Sequence, residues 1–378
     1  MSMVSERAGV LRPTWAEIDT RAFAANVDTI AASLPAASRV IAVLKGDAYG
    51  HGAVELARVC RPERVAMIAT ALLEESLALR DAGITLPLLV LGPMDEGAIE
   101  MAVDAGITPG IPGPEALAAA CRVAQHRDVA IHLKLDSGMG RMGALESELP
   151  AVVQLIRSAP RLRIDAIYTH FAKADDERDP FTTIQTANFD RMLTTLHQSG
   201  IDAPLHHLAN SAATLRGIVR AGDFVRCGIV LYGPSELTSS GGASLKLTSV
   251  MRWRTEIARL KDLPAGHAIG YGATFYTTRP SRIATLPVGY ADGYSRQYSN
   301  NGEVLIRGRR APVVGRVSMD LVTVDVTDIP GCAAGDEVVL LGAQGQEVIS
   351  AEELAAKTDT ISYEVFCRVS KRVPRLYK

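Results

Sequence analysis

Cysteine is scarce in this chain. Five residues in 378, Cys60, Cys121, Cys227, Cys332 and Cys367, form an odd set with no C-x-x-C spacing. That pattern excludes a disulfide framework and a cysteine-built zinc site, and it points to reduced thiols in the cytoplasm. An excess of charge is also missing. The formal net charge of −2 gives no reason to expect nucleic acid or an anionic membrane surface as partner. No apolar run approaches the roughly 18–20 residues needed to span a bilayer. The opening residues, Met1-Ser2-Met3-Val4-Ser5-Glu6-Arg7, have no apolar signal core. Internal repeats and low-complexity stretches are absent too. What is present is length, with 47% hydrophobic residues, enough for a large core and two domains.

From about residue 39 to about 231, short apolar runs alternate with segments of helical period. The spacing predicts strands at 39–44, 65–69, 87–91, 107–110, 129–136, 163–169, 204–208 and 223–231. Amphipathic helices are expected between them, for example at 71–82 and at 114–125, the latter with Pro114 just inside its start. Near-continuous apolar strands with crossover helices imply a parallel sheet, and eight such units fit an α/β (β/α)8 TIM-like barrel. A doubly wound open sheet is the alternative. Beyond Ser239-Ser240-Gly241-Gly242, which reads as a linker, the alternation has period two and the turns are rich in Gly, Pro and Asn. This predicts a mainly antiparallel β domain. The expected division is 17–243 for the barrel and 244–378 for the β domain. Residues 1–16 form an N-terminal extension or strand belonging to either.

Lys45 ends the first predicted barrel strand and runs straight into Gly46-Asp47-Ala48-Tyr49-Gly50-His51-Gly52. A lysine fixed there and partly desolvated loses basicity. Its neutral amine can attack an aldehyde to form a Schiff base, the usual anchor of pyridoxal 5'-phosphate. A lone lysine is more often a surface residue, but other strand ends supply matching partners. Asn210-Ser211 follows the seventh strand and Arg226-Cys227-Gly228-Ile229 ends the eighth, where barrels of this kind often bind phosphate. Taken alone, Asn210-Ser211 is more often a plain helix cap. Arg141 follows the fifth strand and suits a carboxylate or phenolate. His170 ends the sixth, with a structural role equally weighted. Lys134 lies inside the fifth strand, where an unpaired ammonium is costly.

With these residues in hand, the chain resembles the pyridoxal-phosphate-dependent alanine racemase family over nearly its full length. The likeness rests on Ala42 to Gly52, Asp136 to Arg141, Thr169-His170-Phe171, Ala209-Asn210-Ser211 and Val225 to Ile229. It continues through Gly270-Tyr271-Gly272, Gly289 to Gly293, Ser318-Met319-Asp320 and Ser362-Tyr363-Glu364. Gly46-Asp47 stands where the family often has Ala-Asn. The resemblance implies that Lys45 holds the cofactor and serves as one acid/base. Tyr271, from the second subunit of a head-to-tail homodimer, is the other. Arg226 meets the pyridine nitrogen and His170 links it to Tyr271. Tyr49, Ser211, Gly228, Ile229 and Tyr363 bind the phosphate, with Asn210 in the same loop. Arg141 contacts the cofactor's phenolic oxygen and the substrate carboxylate, which also meets the Met319 backbone N–H. Tyr290 and Tyr363 narrow the entrance, and the family residue matching Lys134 is often carbamylated.

The implied activity is interconversion of L- and D-alanine, supplying D-alanine for peptidoglycan, with no metal. Two bases on opposite faces meet the need to remove a proton on one side and return it on the other. A broader serine-accepting racemase, a decarboxylase on the same barrel, a non-catalytic cofactor-binding protein and a cofactor-free aldolase are the competing readings. The second β domain with Tyr271 and Met319 argues against the non-catalytic one.

Overall fold

A strand outside the barrel comes first in the chain, β1 (Thr14–Ile18), and eight more follow it at the apolar runs. These are β2 (Arg39–Val43), β3 (Val65–Thr70), β4 (Leu88–Val90), β5 (Ile107–Ile111), β6 (Val129–Lys134), β7 (Leu162–Tyr168), β8 (Leu205–His207) and β9 (Phe224–Cys227). The computed structural model describes residues 11–234, 237 and 245–378, so the expected linker Ser239 to Gly242 lies outside the described residues. Strands β2 to β9 pair in parallel in the order β8-β7-β6-β5-β4-β3-β2-β9. The remaining gap lies between β8 and β9, where the Arg226 N–H donates to the Ala209 carbonyl at 2.9 Å. The result is a nearly closed parallel barrel, and the open-sheet alternative does not hold.

Six of the eight strands end within one residue of where the sequence predicts, with two informative exceptions. The strand expected at 223–231 stops at Cys227, because Gly228 (φ −111°, ψ −102°) turns the chain into a 3-10 helix over Ile229–Tyr232. The strand expected to reach 136 stops at Lys134, because the Asp136 carboxylate accepts N–H bonds from Gly138, Met139 and Gly140 and curls the chain there.

The described chain divides into two compact units. One comprises Ala24–Ala48 and Ala53–Leu247; the other comprises the residues up to Phe23, Tyr49–Gly52 and Thr248–Lys378. The barrel unit thus begins later than residue 17. The reason is β1, which pairs antiparallel with Met251–Glu256 and parallel with Arg375–Tyr377. These strands belong to a seven-stranded sheet that also contains Glu303–Ile306, Arg309–Pro312, Glu337–Gln344 and Glu347–Ile349. A three-stranded antiparallel sheet (Arg259–Leu263, Ser281–Leu286, Val322–Asp325) completes most of the second unit. Every strand pair in this unit is antiparallel except β1 with Arg375–Tyr377.

Within the second unit, two turns interlock. Tyr290 and Ala291 donate their N–H groups to the carbonyls of Ser318 and Met319 at 3.0 and 3.1 Å. Gly289 permits this, since a Cβ there would sit 2.3 Å from the Ser318 oxygen. Beneath them Asp292, fully buried, accepts both Arg12 Nη atoms at 2.6 and 2.8 Å and the Gly289 N–H at 3.0 Å. Arg372 lies 3.6 Å away and also holds Asp320 at 2.7 Å. Replacing Asp292 by Asn keeps the shape but removes the charge that two arginines face. Urea denaturation should show a loss of about 2 kcal/mol of stability.

Candidate active site

The segment after β2 carries Lys45 at the first position of the turn Lys45–Gly50, where it is exposed and not partly desolvated as the sequence predicts. This turn winds left-handed. Gly46, Asp47, Ala48, Tyr49 and Gly50 have φ between +53° and +79°. Such geometry costs roughly 1–2 kcal/mol for each residue bearing a Cβ, so other contacts must hold it. The Ala48 N–H donates to the Leu44 carbonyl at 2.8 Å. Glu75 accepts the Gly46 N–H at 2.6 Å, and the Asp47 carboxylate accepts the Ala53 N–H at 2.8 Å.

Four cations share the C-terminal ends of the barrel strands. Lys134, buried at the end of β6, has its pKa lowered to about 8, mainly by burial and then by Arg226, Arg141 and Lys45, with Asp136 opposing. Arg141 sits exposed on the turn that Asp136 shapes. Arg226, buried at β9, donates to Thr169 O at 2.6 Å, to Leu208 O at 3.2 Å and to His207 O. It also meets His207 Nδ1 at 2.7 Å and His170 Nδ1 at 3.0 Å. Burial brings its pKa down to about 10, which leaves it protonated at neutral pH.

That fork fixes the histidines. Guanidinium can only donate, so Nδ1 of both His170 and His207 must accept, and each ring carries its proton on Nε2. His207 Nε2 faces His132 Nδ1 at 3.0 Å, so His132 is protonated on Nε2 as well. Burial and the nearby positive charge lower all three pKa values, that of His132 to about 4. Tyr168 stacks on His207 at 4.5 Å and lies under Arg226 at 5.3 Å. Its hydroxyl has no partner among the described residues.

The anion-binding expectation can be followed atom by atom. Asn210 caps the helix Ser211–Leu215, accepting the Ala213 N–H at 3.0 Å and donating to Phe171 O at 3.2 Å. The Gly228 N–H is committed to Ser211 Oγ at 2.9 Å, which binds the two loops together. Ser211 and Ile229 are each the first residue of a helical turn, so their N–H groups have no intrahelical acceptor. These donors, with the Ser211 hydroxyl and a buried Arg226 facing neutral acceptors, suit a phosphate ester on a ring that keeps an unprotonated nitrogen.

In the second unit, Tyr49 is buried and its ring meets that of Tyr363 edge-on at 6.0 Å. Burial first, and then Tyr363, pushes the Tyr49 hydroxyl well above its usual pKa and keeps it a neutral donor. Tyr271, between Gly270 and Gly272 (both φ +72°), is 73% exposed. Met319 and Tyr290 stand exposed on the interlocked turns. Both units therefore carry predicted site residues.

Comparison with known proteins decides the family. Residues 18–236 match the alanine racemase N-terminal domain, and residues 250–377 match its C-terminal domain. The chain belongs to the alanine racemase family. It is 41% identical to the alanine racemase of Halothermothrix orenii over 98% of both chains. Among solved structures, alanine racemase of Bacillus anthracis with bound L-Ala-P matches with a TM-score of 0.90 at 37% identity, covering 97% of this chain and 95% of that one. The Bartonella henselae enzyme with covalently bound pyridoxal phosphate matches with a TM-score of 0.86 at 29% identity, over 97% and 99%.

Sequence reading missed three contributors within this alanine racemase fold. His132 and His207 sit on strands β6 and β8, and no short motif ties them to Arg226. Arg375, near the end of the chain, makes its contacts to main-chain carbonyls. The histidine tautomers are testable by 15N NMR. Rings of His132, His170 and His207 should stay neutral, with the proton on Nε2, as pH falls to about 5. His197, whose pKa Asp202 raises, should titrate at higher pH.

Proposed function

We propose that this protein is an alanine racemase that uses pyridoxal 5'-phosphate and interconverts L- and D-alanine. The observation that carries this reading is a buried, donor-only Arg226 linked to a neutral His170, on the same barrel end as Lys45. Bound to an amine, pyridoxal phosphate supplies an electron sink that acidifies the amino acid's α-C–H. The chain's own residues then move the proton. Lys45 anchors the cofactor and, once released, takes or returns the α-proton on one face. Tyr271 of a second copy does so on the other. His170, accepting from Arg226 at Nδ1, directs its Nε2–H outward and can stabilise a phenolate there. Tyr49, Tyr363, Ser211 and Ile229 would hold the phosphate; Gly228, whose N–H is committed to Ser211 Oγ, lines the same place, and Asn210 supports them as the helix cap.

Arg141 and the Met319 N–H take the substrate carboxylate, while Tyr290 and Tyr363 crowd the side-chain pocket to favour a methyl group. The head-to-tail homodimer is supported by the exposed apolar residues Tyr271, Tyr290, Met319 and Leu321. No described helix is long and apolar enough to cross a membrane, and Cys60, Cys121, Cys227 and Cys332, which form no disulfide, fit a cytoplasmic location. D-Alanine for peptidoglycan is the expected use.

A chiral assay with L-alanine, then L-serine, L-lysine and L-glutamate, tests the activity; racemisation of alanine should dominate. Lys45→Ala and Tyr271→Phe should each lower kcat by about 10²–10⁴-fold. Failure of either substitution to reduce the rate would refute the two-base assignment.

Arg226 also bears on which reaction follows. Its guanidinium holds the pyridine nitrogen without giving up a proton. Arg226→Glu should slow racemisation and raise pyruvate formation by transamination, read by coupled lactate dehydrogenase assay. An unchanged ratio of the two products would disprove this role.

Lys134 is proposed to be carbamylated. Its Nζ attacks CO2 and releases a proton, leaving an anionic carbamate between Arg141 and Arg226. A pKa near 8 makes the neutral amine abundant enough, and raising the pH through that value increases it. A 13C-bicarbonate label should give a carbamate signal that grows with pH and is missing in Lys134→Ala.

A further inference from the structure

Arg375 opens the last strand of the second unit, Arg375–Tyr377, three residues before Lys378. Here it is a hub. Its Nε and Nη2 donate to the Gly50 carbonyl at 3.0 and 2.8 Å. Nη2 also reaches Val369 O at 2.6 Å, and Nη1 reaches Ser370 O at 2.5 Å and Val373 O at 2.7 Å. Gly50 follows Tyr49 directly at the end of the left-handed turn. Val369 is the C-cap of the helix Ser362–Arg368, which carries Tyr363. One guanidinium thus joins the two backbones that bear the paired phenols.

The surroundings leave that turn no other place to go. A Cβ on Gly50 would lie 2.6 Å from the Phe366 carbonyl, and one on Gly52 would lie 1.9 Å from the Tyr377 hydroxyl. His51 packs on Phe366 with ring centroids 5.0 Å apart. The turn is therefore pressed onto the helix of Tyr363 on one side and the last strand on the other. Without the fork, the Gly50 carbonyl loses two donors in a segment already held against its φ preference.

We propose that Arg375 is a positioning residue that sets the spacing of Tyr49 and Tyr363, and through them the affinity for the cofactor's phosphate. This rests on reading the two phenols as phosphate donors. Two hydroxyls can serve one dianion only if both distances are right, because hydrogen bonds weaken steeply off their geometry. Arg375 touches neither the substrate nor the reacting atoms, so kcat at saturating cofactor should be spared.

The test compares pyridoxal phosphate with pyridoxal, which lacks the phosphate. Full-length apoprotein is reconstituted with each, and apparent Kd values are read from the visible absorbance of the bound cofactor. Arg375→Met should raise Kd for pyridoxal phosphate roughly 10- to 100-fold and leave Kd for pyridoxal within about twofold, with kcat at saturation retained. Arg375→Lys, which keeps the charge but not the fork, should give the same selectivity in smaller degree, and it replaces the Met variant should that one not fold. Tyr363→Phe is measured alone and with Arg375→Met; the losses should be less than additive. Equal weakening of both ligands, no change in either, or full additivity overturns the proposal. A Tyr363→Phe variant that does not distinguish the two ligands refutes the phenol reading and takes this proposal with it.

Discussion

Most of the barrel site follows from burying the guanidinium of Arg226 without a carboxylate beside it. Among the described residues its partners are three carbonyls and two imidazole nitrogens. A buried cation is costly unless its donors are met, and these partners meet the donors of both Nη atoms without cancelling the charge. The uncancelled charge is what the neighbours feel. Burial first, and this charge after it, keeps His132, His170 and His207 neutral and lowers the pKa of Lys134. The site is thus a positive field awaiting an anion.

The left-handed turn after β2 poses the same problem in backbone terms. Three consecutive residues with a Cβ, Asp47, Ala48 and Tyr49, occupy a region that costs each of them free energy. Strain of this kind persists only where the surroundings over-determine it. Glu75 and Asp47 do so from the barrel unit, and Arg375 with its carbonyl cluster does so from the other. A relaxed right-handed turn would start from the same Lys45 yet send Tyr49 elsewhere.

The barrel was legible because its strands are buried on both faces, so their apolar runs stand out from the helices without any alternation to decode. β9 was over-extended for a local reason, since Gly228 turns a chain whose residues remain apolar through Leu231. Strand β1 was harder. Its five residues are all buried, and composition cannot say which sheet a lone strand joins. Lys134 was legible as a charge in an apolar strand, and its lowered pKa has the expected cause. Asp292 with Arg12 was not, because 280 residues separate the partners. Arg375 was invisible for another reason: main-chain carbonyls are the same at every position, so nothing in the sequence marks the residues it holds.

Charge and strain bear on one another through the anion they both invite. Four cations crowd the barrel end, and the left-handed turn bearing the first of them is held against its conformational preference. Each is a cost to the native state. On the proposed function, a phosphate would offset the first by its charge. Binding free energy that relieves the native state also stabilises it, in proportion to ligand occupancy. The chain can therefore tolerate an arrangement that is unfavourable alone, and the arrangement in turn explains why the site's donors remain so sparsely paired with carboxylates of its own.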